Sequence, residues 1–417
     1  FGQRAITSDL ALSQKYRYVP EFETGGTFGV NMHETEDRLF SFNYKSIYAS
    51  DHARLEQQQN FIACHYLKQF NDEIIKPKNF DHCGEPCAIA CKKFVSEYKK
   101  DYEPYEALGP NCGIFDQRAA ERVNKYVDTM GLDSIQTGGT VAWIMDLLST
   151  HMITAKDFDL PEDLPHFDFA NSEDKFDLVH WSSHNADYAI DIIKMILFSP
   201  KGEPFRLGIR AAAKWLDKTY HIRSIDKAIF NAHGDQGCMV PNQYWVPGMF
   251  APMPLMGKYF SYYGGDFIPP EKLGRKNVER FVYEFYSENS GSCRFHRKWV
   301  EDIIDEIILS HFDLDIDYWK DNFQLTKEIH EHQSASSSFW ESERVVDIIF
   351  GFLEKWQREG LKDPQLDFWV NEFRKDKWVG ARHFWDAMYN GMCSAFEEGI
   401  NEPQHVDHGF IKPQKLT

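Results

Sequence analysis

The sequence predicts a mostly α-helical protein. Apolar residues recur at helical spacing in stretch after stretch, few segments alternate with the period of a strand, and no repeat of solenoid length is visible. The chain has 417 residues, enough for one large domain or two to three ordinary ones, and 42% hydrophobic residues, enough for a sizeable core.

Residues 1–80 read as irregular and rich in aromatics. Within them Glu23-Thr24-Gly25-Gly26-Thr27-Phe28-Gly29 reads as a flexible turn, because glycine permits backbone angles that other residues avoid. From Asp116 the texture becomes helical. Asp116 caps a helix through Arg118, Ala119, Val123, Tyr126 and Val127 that ends near Gly131. A second helix, 141–148, follows Gly138-Gly139. Residues 156–176, rich in Asp, Glu, Phe and Pro, form an exposed connection. Further amphipathic helices fit 187–198, 206–218, 275–287, 294–310 and 341–356.

Charge and cysteine content narrow the setting. The net charge is −18, which repels nucleic acid and anionic membranes. No apolar run reaches the roughly 18 residues of a membrane span, and no signal peptide is visible. Eight cysteines are too sparse for a disulfide scaffold, so a reducing, cytoplasmic setting is expected. The chain opens on Phe1-Gly2-Gln3-Arg4, without targeting character, and is expected to begin inside a longer protein.

The most informative feature is the run Cys83-Gly84-Glu85-Pro86-Cys87-Ala88-Ile89-Ala90-Cys91, with a distant Cys293 in Ser290-Gly291-Ser292-Cys293-Arg294-Phe295. Three thiolates on one turn plus a remote one can hold a four-iron cluster. Zinc, or inert buried thiols, are the alternatives that spacing leaves open, although the paired C-x2-C of zinc turns is missing.

An internal echo adds to this. Asp128-Thr129-Met130-Gly131-Leu132-Asp133 and Glu288-Asn289-Ser290-Gly291-Ser292-Cys293 each place an acid three residues before a glycine, and a second acid or a thiol two residues after it. Such an acid ends a helix and the glycine turns the chain. The carboxylate there can accept two parallel N–H bonds from an amino-bearing heterocycle. Two ordinary helix ends are the plainer reading.

Together these residues resemble the aldehyde ferredoxin oxidoreductase superfamily of tungsten enzymes. The likeness rests on 83–93, on Tyr102-Glu103 through Leu108-Gly109-Pro110-Asn111-Cys112-Gly113, on 128–138, and on Cys293-Arg294-Phe295-His296-Arg297. The long cysteine spacing and these phrases look most like two branches: glyceraldehyde-3-phosphate ferredoxin oxidoreductase and the catalytic subunit of class II benzoyl-CoA reductase. The resemblance implies the superfamily's two helical domains, 1–200 and 201–417, with its β-rich N-terminal domain missing or supplied by a companion polypeptide. It also implies a tungsten ion on two pyranopterins, a [4Fe-4S] cluster nearby, and magnesium as a candidate ion between the pterins.

The same resemblance assigns residues. Cys83, Cys87, Cys91 and Cys293 match the cluster ligands. Asp128 matches the acid on one pterin, with Asp133 beside it, and Glu288 stands where the family usually has aspartate. Glu103 matches the acid near tungsten; otherwise it is an exposed loop acid. His233 falls where relatives place a histidine near the substrate; otherwise it is a capped loop histidine. Cys112 matches the protein ligand of tungsten in the benzoyl-CoA branch; otherwise it is a small buried cysteine.

Three functions follow as expectations. Placed first is low-potential reduction of the ring of a benzoyl-CoA-type thioester, on the strength of Cys112 and the continuation Gly113-Ile114-Phe115-Asp116-Gln117-Arg118. The second is oxidation of an aldehyde to a carboxylate with ferredoxin as acceptor. The third is a non-catalytic electron-relay subunit. The expected partner is ferredoxin or an iron–sulfur subunit, and the expected substrate a small molecule or an acyl-CoA.

Overall fold

A computed structural model describes residues 16–77, 94–95, 98–168, 177–253, 261–289, 291, 293, 301, 303–332 and 338–402. The mostly α expectation holds. Among the described residues the strands form only two short antiparallel hairpins, Phe94–Val95 (β1) with Tyr98–Lys99 (β2), and Asn231–His233 (β3) with Gly237–Met239 (β4). No helix among the described residues is long and apolar enough to cross a membrane.

The N-terminal part corrects the sequence reading. Residues 16–77 are not irregular: they hold α1, Gly26–Glu34, and a helical run from Asp51 to Ile75 that starts with α2, Asp51–Gln57. Gln58–Tyr66 and Asn71–Ile75 in this run are π-helical. Its buried hydrophobic residues are Phe61, Ile62, Tyr66, Leu67, Phe70, Ile74 and Ile75. Their four- and five-residue intervals suit the wider π turn and blur the 3.6-residue period that marks an α-helix. The supposed Gly25-Gly26 turn is the start of α1, which no side chain caps.

Short α3, Tyr102–Ala107, leads into a 3₁₀ turn at Pro110–Cys112. Next come α4, Gln117–Thr129, and α5, Ser134–Ser149. The Asp116 side chain caps α4 as expected, accepting from the N–H groups of Arg118 and Ala119. By contrast α5 starts well before 141 and takes in both glycines. A Cβ on Gly138 would lie 2.6 Å from the Ala107 carbonyl carbon, so glycine here lets α3 and α5 touch. The 156–176 connection is not exposed throughout, since Phe158, Leu160 and Phe167 are buried.

The chain continues with α6, Leu178–Phe198; α7, Ile209–Tyr220; α8, Pro270–Glu288; α9, Ile304–Phe312; and α10, Tyr318–His332. It ends in α11, Glu343–Arg358; α12, Pro364–Lys375; and α13, Lys377–Glu398. The sequence reading passed over α10, α12 and α13, although Asp363 with Pro364, and Asp376, are plain helix-start signals.

A first core gathers around α5 and draws on residues from Phe28 to Val240. A second core gathers around α11, α12 and α13, and a smaller third one around α8 and the end of α13. A buried ion network ties the first two. Asp146 of α5 accepts from Arg344 of α11 at 2.6 Å and from Asn43 Nδ2 at 3.1 Å, with Lys227 Nζ at 3.4 Å. Arg344 also donates to the Asn43 carbonyl at 2.8 Å.

Candidate active site on the 102–107 helix

Spacing along α3 gives the site its form. Glu103 and Glu106 stand three apart, on one helical face. Glu103 is 8% exposed, so it is not an exposed loop acid. Its Oε1 accepts from the Tyr244 hydroxyl at 3.1 Å, and the same hydroxyl accepts from Asn31 Nδ2 at 2.7 Å. Two further bonds fix α3. Tyr102 donates through its hydroxyl to the Gln243 carbonyl at 2.8 Å, and its N–H donates to Thr27 Oγ1 at 3.2 Å.

Glu106 is in the opposite condition. It is fully buried, and among the described residues neither carboxylate oxygen has a hydrogen-bond partner. Burial pushes its carboxyl well above the ordinary range, and no cation among the described residues offsets that. The buried Tyr44 hydroxyl and the side-chain amides of Gln243 and Asn111 likewise make no hydrogen bond of normal geometry. Burial first, then the nearby Glu106, raises the Tyr44 hydroxyl, while the adjacent Gln243 side chain acts the other way.

Cys112 is fully buried beside this group. Its Sγ lies 3.3 Å from the Ala107 carbonyl and 3.6 Å from the Gly138 carbonyl. Burial, with a lesser push from Glu106, raises the thiol well above its usual value. His233 stays with its own β3–β4 hairpin. Arg210 donates to the carbonyls of His233, Gly234 and Gly237 and clamps that turn. Burial holds the His233 imidazole below the ordinary histidine value.

The internal echo is a shared geometry. Asp128 and Glu288 both sit at helix ends, and in each case the glycine N–H three residues on donates to the acid's carbonyl at 3.0 Å. Gly131 and Gly291 have φ of 69° and 70°, with nothing within 4 Å of a Cβ on either. Backbone conformation, not crowding, selects glycine at both. Asp128 is exposed there, which fits a carboxylate presented to an amino-bearing ring. Asp133 has a local task as well, capping α5 through a 2.6 Å bond from the Gln136 N–H.

Cys293 is half-buried. Cys83, Cys87, Cys91 and His296 lie outside the described residues. Among the described residues no group of three or more His, Cys, Asp or Glu side chains is poised to hold a metal ion. Sequence reasoning missed Glu106, Tyr244, Asn31 and Gln243. The Glu103-x-x-Glu106 spacing could have signalled Glu106. Tyr244 and Asn31 come from remote segments and carry no local signal.

Comparison with known proteins adds context. A family profile described as aldehyde ferredoxin oxidoreductase, domains 2 and 3, matches residues 11–222. The chain is 34% identical over 374 residues to an uncharacterized protein of Methanocaldococcus jannaschii, covering 86% of this chain and 60% of that one. It is 33% identical over 400 residues to the glyceraldehyde-3-phosphate:ferredoxin oxidoreductase of Pyrococcus furiosus, covering 92% and 58%. A tungsten-containing aldehyde ferredoxin oxidoreductase of the same organism is 42% identical over 93 residues, 21% of this chain and 15% of that one. The chain thus spans about 60% of the length of the long-matching relatives.

Proposed function

The chain belongs to the aldehyde ferredoxin oxidoreductase family, and from that premise we propose that it carries the acid–base side of a tungsten site that oxidises an aldehyde to a carboxylate. The observation that supports this reading is the Asn31–Tyr244–Glu103 chain, which holds buried the carboxylate that the resemblance matches to the family's acid near the metal. Aldehyde and water give carboxylate, two electrons and three protons. Glu103 is the group that takes a proton from the attacking water, held in place by the Tyr244 hydroxyl.

The bound tungstopterin would supply the two-electron oxidation, and an iron–sulfur cluster would pass the electrons on singly to ferredoxin. Asp128 and Glu288, at their matched helix ends, would hold the pterins. Cys83, Cys87, Cys91 and Cys293 would hold the cluster. The division into two helical domains belongs to the same proposal.

Ring reduction of an aryl-CoA rested on Cys112 and on the continuation from Gly113 to Arg118. That thiol is turned onto two backbone carbonyls, and the named relatives are aldehyde and glyceraldehyde-3-phosphate oxidoreductases. Aldehyde oxidation is therefore the preferred reading. The test is anaerobic dye reduction by the purified protein over a panel of aldehydes and benzoyl-CoA, alongside tungsten and iron analysis. Turnover of aldehydes with both metals present is expected. Conversion of benzoyl-CoA to a dienoyl product, with no aldehyde turnover, overturns the reading. Cys293→Ser should lose iron; full retention of iron removes Cys293 from the ligand set.

A further inference from the structure

Glu106, Tyr44, Gln243 and Asn111 are buried polar side chains that make no hydrogen bond of normal geometry among the described residues. Buried polar groups in folded proteins are nearly always paired, so a cluster of exceptions calls for an explanation. Here the exceptions adjoin the proposed chemistry. Glu106 is one turn along α3 from Glu103. Gln243 directly precedes Tyr244, and its carbonyl is held by Tyr102 of the same helix. Tyr44 feels both Glu106 and Gln243. Asn111 lies on the turn after α3, and its carbonyl accepts from the N–H of Asn43, the neighbour of Tyr44, at 2.8 Å.

The chemistry of the four side chains defines what would satisfy them. A hydroxyl and two amides each donate and accept, and so does an uncharged carboxyl. Among the described residues no cation compensates Glu106, so a phosphate or carboxylate would enter without a counter-charge from them. An apolar alkyl or aryl group would leave every one of these atoms unpaired. A ligand with neutral hydroxyl groups pairs them. Sites built to bind a hydroxyl reject the analogue lacking it far more strongly than apolar pockets tell sizes apart.

We propose that Glu106, Tyr44, Gln243 and Asn111 form a specificity socket for the uncharged hydroxyl groups of a short hydroxyaldehyde. This rests on the aldehyde reading above and adds the substrate class and the residues that select it.

Three measurements test it. The first is kcat/KM for glyceraldehyde against propionaldehyde with the purified holoprotein. A ratio of roughly tenfold or more is expected, falling toward one in Glu106→Gln and Gln243→Leu. The second needs no turnover: isothermal titration with glyceramide and propionamide, which cannot be oxidised. Glyceramide should bind roughly tenfold tighter or more, and Gln243→Leu should abolish the difference. The third is the melting temperature of the ligand-free protein. Tyr44→Phe and Gln243→Leu should raise it, because they remove unpaired buried groups, whereas loss of a structural contact would lower it. Equal binding of the two amides, or a fall in melting temperature in both variants, overturns the socket. Discrimination between the amides without oxidation of any aldehyde would keep the socket and sink the aldehyde reading instead.

Discussion

The Tyr244 hydroxyl lies 3.1 Å from Glu103 Oε1 and 2.7 Å from Asn31 Nδ2, so it has one proton to give and gives it to the carboxylate. The contact joins α3 to a segment 141 residues away, and α1 joins through a separation of 213. Hydrogen bonds to charged groups contribute about 1.5–3 kcal/mol. Tyr244→Phe keeps the ring contacts with Tyr102 and Tyr263 and removes the hydroxyl's two bonds, the one to Glu103 and the one from Asn31. It should lower kcat for aldehyde oxidation roughly ten- to a hundredfold, with the melting temperature changed by a few degrees at most. Dye-reduction kinetics and thermal unfolding on the same preparation check both halves.

How far the sequence could be read depended on whether each signal was local. Asp116 was legible as a cap because a side-chain oxygen three residues ahead of an N–H is a local arrangement, and the structure has that bond at 3.0 Å. The turns at Gly131 and Gly291 were legible because the left-handed conformation leaves a glycine behind. The Asp51–Ile75 run was not, because π turns break the expected period. The site was half legible. Glu103 came through a family pattern, while Tyr244 and Asn31 meet it only once the chain has folded, and Glu106 became conspicuous only through its lack of partners.

Asp146 is fully buried between Arg344, Lys227 and Asn43. Burial pushes its carboxyl up, but the Arg344 and Lys227 charges outweigh that and hold it below the ordinary value. Arg344→Met would leave the carboxylate with only Lys227 and Asn43 and unhook α11 from α5. Breaking a buried pair by removing one partner costs about 3–5 kcal/mol. The urea midpoint should fall accordingly. Combining the change with Asp146→Asn should recover part of the loss, because the charge that Arg344 had paired goes with it.

Acid should weaken the fold before any carboxylate is titrated. Burial lowers the imidazoles of His166, His233 and His330 below their unfolded value of about 6.5. Below that pH the unfolded chain takes up protons that the folded chain refuses. Stability therefore rises with pH through this window and falls as pH drops below about 6.5. Glu106 acts with the opposite sign. Its raised carboxyl favours the fold below about 4.3 and forfeits that contribution as pH climbs. Melting temperatures at pH 5.5 and 7.5 should differ in favour of 7.5. Glu106→Gln should raise the value at 7.5, where the unfolded chain otherwise gains by ionising. A flat profile between these two pH values in Glu106→Gln, where the opposing carboxyl is gone, would show that the three histidines are not buried as neutral rings.

The paired helix ends allow backbone strain to be separated from crowding. At Gly131 and Gly291 a methyl group meets nothing within 4 Å, so alanine there is penalised only by its positive φ. That penalty is about 1–2 kcal/mol for an L-residue in the left-handed region. At Gly138 the obstacle is the Ala107 backbone at 2.6 Å, and alanine must push α3 away from α5. Gly131→Ala and Gly291→Ala should therefore fold, melt slightly lower, and carry less tungsten and pterin per chain, because the strained turn re-aims Asp128 or Glu288. Gly138→Ala should lose far more stability and disturb Glu103 directly. Metal analysis and unfolding curves on the three variants distinguish the cases. If Gly131→Ala kept full tungsten occupancy at native stability, Asp128 would be an ordinary helix end rather than a cofactor contact.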